Sequence, residues 1–205
     1  MEGGSWTGIV DKAARAHFEA FGSAEAARAA WLPWEELSDA VKAFLKVEAL
    51  GALDGTEVYR RVVGLFESRP RVRGRFKSLL AWHDGERLKE ALIRLVSTRE
   101  GGDPGRRIDA LGLGGVGRAT ASEIMCLWWP YRFLPQNAAT CEKMAKLTEL
   151  YRKRDLAEMP YDIFMQFAGT FESAFRAQGG AVWPELAPKL NERRFLYFYI
   201  FLTDL

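Results

Sequence analysis

Leu111-Gly112-Leu113-Gly114-Gly115-Val116-Gly117-Arg118-Ala119-Thr120-Ala121-Ser122-Glu123-Ile124 is the stretch that decides the fold. It reads as the end of one helix, a tight glycine turn and the start of a second helix. A turn of this kind aims backbone N–H groups at a phosphate, because the first amides of a helix have no partner within it. The question is which phosphate.

Three motifs compete for these residues. Gly112-Leu113-Gly114-Gly115-Val116-Gly117 satisfies G-x-G-x-x-G, the dinucleotide pattern, which requires a buried strand before it and an acid about 20 positions on. The lead-in, Asp103-Pro104-Gly105-Arg106-Arg107-Ile108-Asp109-Ala110, is too polar for a central parallel strand, and Asn137 stands near the place of the acid. A Walker A loop fits at Gly112 and Gly117. Arg118 and Ala119 then replace the lysine and the hydroxyl that hold the phosphate and the magnesium ion. The third motif, a helix-hairpin-helix, suits the residues best. Gly115 and Gly117 allow a turn and a close approach of backbone to phosphate. The following helix supplies amides and the positive end of a dipole. Arg118 adds a charge and Thr120 a hydroxyl, and Val116 seats the turn on its own helices.

Leu113-x-Gly115-Val116-Gly117-Arg118-x-Thr120-Ala121 resembles the L-P-G-V-G-x-x-T-A pattern of the helix-hairpin-helix DNA glycosylase superfamily, the endonuclease III and 8-oxoguanine glycosylase group. Gly114 stands where the family has proline. The resemblance continues through Trp128-Trp129-Pro130-Tyr131-Arg132-Phe133-Leu134-Pro135-Gln136-Asn137 and covers about residues 108–150. It implies an all-α, two-lobed fold, with DNA gripped through its backbone and a base drawn into a cleft between the lobes. It also implies a monovalent cation at the hairpin as a candidate ligand and no other cofactor.

Both hallmarks of the family's chemistry are missing. The loop aspartate that opens the next helix corresponds to Asn137, and the lysine of the bifunctional enzymes to Ile108. Asparagine caps a helix as aspartate does, but an amide is no general base at neutral pH. The expectation is therefore a domain without catalytic residues that binds double-stranded DNA and examines a flipped or modified base. By analogy of fold, it resembles the recognition domains of McrB-type modification-dependent restriction systems, which would make a nucleotide-driven motor its partner. Two alternatives stay open: a glycosylase using an acid that does not align, and a helical protein-interaction domain.

Candidate site residues follow from this reading. Leu113, Gly115, Val116, Gly117, Arg118 and Thr120 are expected at the DNA backbone. Arg71, Arg73, Arg75 and Lys77 alternate, which places four cations on one face of an extended segment suited to phosphates. Trp128 or Trp129 would stack on a base. Gln136 and Asn137 present both a donor and an acceptor to a base edge. Asp109 and Glu123 read as surface or helix-end charges, and His17 as structural.

Composition bounds the rest. The chain has 205 residues and a formal charge of +2, too mild to announce nucleic acid by itself. Two cysteines, Cys126 and Cys141, cannot hold a four-cysteine iron–sulfur cluster. No histidine lies near them, so no metal site is expected. The start has no basic or apolar run of a secretory leader. The longest apolar run, Phe195 to Leu202, is too short to cross a bilayer. A cytoplasmic protein is expected.

Helical patterning runs throughout. Ser23 caps a helix over 24–31, and 34–50, 56–67, 76–82 and 87–96 follow. Two lobes are expected, packed as one compact unit: 1–102 with the basic segment, and 103–205 with the hairpin and the C-terminal helices. Asn137 opens a helix reaching about Lys153. Gln178-Gly179-Gly180 ends another begun at Tyr161, and Asn191 caps a last one.

Overall fold

The structure is a computed structural model, and it describes residues 6–67, 84–97, 108 and 117–204. These residues are all-α. The helices are α1 (Trp6–Ala20), α2 (Ala24–Phe44), α3 (Val47–Gly51), α4 (Gly55–Glu67), α5 (Gly85–Val96), α6 (Arg118–Trp128), α7 (Ala138–Thr148), α8 (Lys153–Glu158), α9 (Tyr161–Val182), α10 (Ala187–Glu192) and α11 (Arg194–Asp204). A short 3-10 turn, Pro184–Leu186, precedes α10. The segment expected as a helix over 76–82 lies outside the described residues.

The N-terminal helix packs along a late one, α1 on α9. In the same way α2 lies on α6, α4 on α5, and α7 on α8 and α11. Packing therefore crosses the 102/103 boundary in both directions. The core is aromatic: Phe18, Trp31, Phe175, Tyr197, Phe198 and Phe201 are each fully buried. Burying one such ring stabilises the fold by roughly 2–3 kcal/mol. His17 sits among Phe18, Phe21, Phe175 and Phe201, a structural setting. The run Phe195–Leu202 is buried along its whole length.

Local signals set several ends. Ser23 accepts from the Ala26 amide at 3.1 Å and opens α2. Asp84 accepts from the Arg87 amide at 3.2 Å and opens α5. Glu149, at φ 52°, closes α7 in the left-handed conformation, earlier than the expected Lys153. The chain then restarts as α8.

Three helical stretches depart from expectation. α2 runs unbroken through Pro33, which has no N–H to offer the Ala29 carbonyl. Trp31 and Trp34 flank that gap, 0% and 9% exposed, and Leu37 and Val41 continue the buried face. Tertiary burial of two indoles outweighs the roughly 3 kcal/mol cost of an interior proline. α9 likewise continues past Gly179-Gly180 to Val182. Gly179 is there for space. A Cβ on it would lie 2.5 Å from Phe18 Cζ and 2.7 Å from Leu190 Cδ1. Asn191 caps nothing; its amide donates to the Ala187 carbonyl and its oxygen accepts from Arg176.

Gly179→Ala tests the close approach of α1 to α9. Helix propensity alone would favour alanine by about 1 kcal/mol, but overpacking costs about 1–3 kcal/mol. The expected result is a melting temperature roughly 2–6 °C lower. A melting temperature equal to or above that of the parent would remove the contact.

On the surface, Glu142 accepts from Lys146 at 2.9 Å and from Lys153 at 3.1 Å, which joins α7 to α8. These hydrogen bonds hold its carboxyl down at about 2. A depressed carboxylate contributes stability above its ordinary range near 4.5, and loses it as pH falls toward 2. The melting-temperature gap between the parent and Glu142→Gln is therefore expected to close over that window. A gap unchanged down to pH 2 would mean that the two lysines do not stabilise this carboxylate.

Candidate nucleic-acid interface

α6 is central and nearly enclosed, with residues 120–127 all buried. Ala121, Ile124, Met125 and Leu127 fill the core. Ser38 of α2 donates to the Leu127 carbonyl at 2.6 Å, anchoring the C-terminal end of the helix.

Its N-terminal end is built differently. Gly117 is the N-cap, exposed and extended (φ −71°, ψ 166°). The helix's own ladder begins with the Ala121 amide on the Gly117 carbonyl at 3.0 Å. There is no side-chain cap and no acid in the first turn. Among the described residues, a Cβ on Gly117 would meet nothing within 4 Å. Neither packing among the described residues nor backbone conformation calls for glycine here, and Ser or Asp would cap the helix somewhat better. The glycine leaves bare backbone at the positive end of a helix dipole.

Arg118 Nη1 donates to the Met159 carbonyl at 3.0 Å, tying the start of α6 to the junction of α8 and α9. Thr120 is 5% exposed in the first turn. Leu113, Gly115 and Val116 of the hairpin, and Arg71, Arg73, Arg75 and Lys77 of the basic segment, lie outside the described residues. Ile108 is buried in the core.

After α6 the chain doubles back. The Phe195 and Leu196 amides donate to the Pro130 carbonyl at 2.9 and 3.2 Å. Tyr161 Oη donates to the Leu134 carbonyl at 2.8 Å, and burial pushes that phenol's pKa well up. The Gln136 amide donates to Ser122 Oγ at 2.9 Å, which returns the loop to the N-terminal half of α6. Gln136 Nε2 then donates to the Leu156 and Met159 carbonyls at 2.7 and 2.8 Å. Arg118 and Gln136 thus share one acceptor. Gln136 Oε1 is buried with no hydrogen-bond partner.

Asn137 caps α7, with Oδ1 accepting from the Thr140 amide at 2.9 Å. Its Nδ2 donates to Tyr199 Oη at 3.2 Å, and Tyr199 Oη donates to Glu123 Oε1. Glu123 is therefore no surface charge. It is 2% exposed, and a phenol from α11 supplies the hydrogen bond that makes its burial tolerable. A matching pair stands two residues away, where Tyr197 Oη donates to Glu35 Oε1 at 2.7 Å and Lys189 lies 2.9 Å from the same oxygen. The signal for both pairs was in the sequence: two tyrosines in an otherwise apolar helix need polar partners for their hydroxyls.

The structure thus brings Arg118 and Gln136 onto one acceptor near the start of α6, and Asn137, through Tyr199, beside Glu123 midway along it. Trp128 and Trp129 stand at the other end, roughly 15 Å along the helix. Both are partly buried, with ring centroids 5.1 Å apart, and the Arg132 guanidinium lies 5.2 Å from the Trp129 ring. An open groove of about 620 Å³ between α2 and α4 is lined by Glu36, Ala40, Phe44, Arg61 and Gly64, among others, and by none of the described candidate site residues.

Among the described residues no group of three His, Cys, Asp or Glu is placed to hold a metal. Cys126 and Cys141 are free and buried. Burial raises both thiols, Cys141 to about 11. No described helix is long and apolar enough to cross a membrane. Comparison with known protein families, curated proteins and solved structures found no match to this chain.

Proposed function

We propose that this chain is a non-catalytic, double-stranded-DNA-binding domain with a two-lobed helix-hairpin-helix fold of the glycosylase type. Leu113, Gly115, Val116, Gly117, Arg118 and Thr120 grip the phosphate backbone, and Arg71, Arg73, Arg75 and Lys77 add charge. Gln136 and Asn137 examine an extruded or modified base, and Trp128 and Trp129 offer aromatic surface at the opposite end of α6, apart from that base. A nucleotide-driven restriction motor is the partner this role suggests. The observation that carries the reading is Gly117: an exposed N-cap with room for a side chain and none present, at the start of a helix with no acid in its first turn.

The test is binding and base release on one panel of duplexes: unmodified, methylated, 8-oxoguanine, uracil and abasic. Selective binding without release is the expected result. A second reading, a DNA glycosylase with a non-standard acid, is favoured by one observation: the buried Glu123 carboxylate lies a single phenol away from Asn137. Base release that disappears in Glu123→Gln would establish that reading instead.

A further inference from the structure

We propose that Glu123 and Tyr199 are positioning residues that require an amide at position 137 and turn its remaining N–H toward a hydrogen-bond acceptor on the bound base. The base-facing half of this proposal rests on the DNA-binding reading above. The other half concerns the protein alone.

The argument begins with proton counting. Tyr199 has one hydroxyl proton, and it goes to the Glu123 carboxylate. Its oxygen is then left as an acceptor, 1% exposed, and needs a donor. Asn137 Nδ2 is that donor at 3.2 Å, while Asn137 Oδ1 serves the Thr140 amide at 2.9 Å. The amide therefore has one orientation. As caps, Asn and Asp are equivalent, so capping does not choose between them. The relay does. An ionised carboxylate at 137 would turn an acceptor toward the Tyr199 oxygen and set a second negative charge one phenol away from Glu123. Among the described residues, the titratable groups facing this point include Tyr199, Glu123 and Cys126, whose thiol feels the Glu123 charge.

An amide nitrogen carries two N–H groups. One is held by Tyr199, and no other described group accepts from Asn137 Nδ2. Asn137 is 8% exposed and reaches Glu123, midway along α6, through Tyr199. The second N–H is suited to a ring nitrogen or a carbonyl oxygen of a nucleobase.

Two measurements test the two halves separately. The first is a double-mutant cycle of Asn137→Asp and Glu123→Gln, read by thermal melting from pH 5 to pH 8. Asn137→Asp is expected to lower the melting temperature by about 5 °C at pH 8. That deficit shrinks toward pH 5, because protonating the new carboxyl restores a donor. Adding Glu123→Gln to Asn137→Asp is expected to recover most of the loss. The glutamine amide can donate to the phenol oxygen, and the phenol can then donate to the new carboxylate, so the relay runs in reverse. A structural cap alone predicts the opposite trend, a deficit that grows toward pH 5 as the capping carboxylate is protonated, and no such rescue. Asn137→Asp as stable as the parent at every pH, or a double variant no better than the sum of the singles, overturns the relay.

The second measurement uses the unmutated protein. The chain has two asparagines, Asn137 and Asn191. Labelling asparagine with nitrogen-15 therefore gives two side-chain amide signals. On titration with 8-oxoguanine, methylcytosine and unmodified duplexes, the Asn137 signal is expected to move and the Asn191 signal to stay. Salt-dependent binding with an unmoved Asn137 signal overturns the base contact and leaves the DNA-binding reading standing. No binding to any duplex overturns both of those, and the melting cycle still decides the relay.

Discussion

Gly117→Asp is expected to make the protein slightly more stable and to weaken its DNA binding by at least a hundredfold. The two effects have one cause. Gly117 is the N-cap of α6, exposed, with open space where a side chain would be. An aspartate there accepts from the first amides of the helix and completes the cap, a gain of a few tenths of a kcal/mol. The same carboxylate occupies the position where a phosphate oxygen would sit, and it carries the phosphate's own sign. Two like charges about 4 Å apart in a partly screened setting repel by about 4 kcal/mol, and a hundredfold loss needs only about 2.7 kcal/mol. Gly117→Ser caps without adding charge and is expected to fall between the two. The gap between the aspartate and serine variants should narrow as salt is raised, because the repulsion is screened. Equal affinity for the parent and Gly117→Asp at low salt would remove the start of α6 from the interface.

The largest expected loss of stability comes from Gly85→Ala. The starts of α4 and α5 meet backbone to backbone at Gly55 and Gly85. A Cβ on Gly85 would overlap the backbone of Gly55, 3.1 Å from its Cα. A Cβ on Gly55 would lie 2.5 Å from the Gly85 carbonyl carbon and 2.8 Å from Glu86 Cα. Main chain cannot rotate aside as the end of a side chain can. The crossing also carries a hydrogen bond, from the Gly55 amide to Glu86 Oε1 at 2.5 Å, and one from Lys89 Nζ to the Leu53 carbonyl at 2.5 Å. The helices must separate to admit the methyl, at about 3 kcal/mol and a melting temperature lower by roughly 6–12 °C. Circular dichroism melting measures this directly. A loss under about 2 °C would mean that the two helix starts do not touch.

Much of this fold was legible where the signal was local. Ser23 and Asn137 cap the helices that they were expected to cap, because an Asx or hydroxyl side chain acts on amides two or three residues away. The apolar load of 195–202 announced a buried helix. Pro33 and Gly179-Gly180 misled for the opposite reason. Each is a local breaker overruled by packing, Pro33 by Trp31 and Trp34 on either side, Gly179 by the approach of Phe18 and Leu190.

The candidate site divides along the same line. Gly117 at a helix start and Asn137 at the next one could be read from turn chemistry and spacing. That Gln136 and Asn137 stand beside the first half of α6, with Trp128 and Trp129 at its far end, depends on how the returning loop lies. Ser122 and the Met159 carbonyl fix that path. Tyr199 announced a need for a polar partner, but which acid meets it was not legible for a related reason: Glu123 lies 76 residues away on another helix.

The most direct test of the central claim is the affinity of the unmutated chain for a short duplex as salt is raised. Arg71, Arg73, Arg75, Lys77 and Arg118 are the cations assigned to phosphates. Each phosphate neutralised contributes about 0.9 to the slope of log affinity against log salt, so a slope of about −4.5 is predicted for the five. Binding at low salt that weakens with that slope, and that falls away in Gly117→Asp, is the result the account predicts. No affinity for any duplex at low salt, or an affinity indifferent to both salt and Gly117, would contradict it and make this helical unit a binder of something other than DNA.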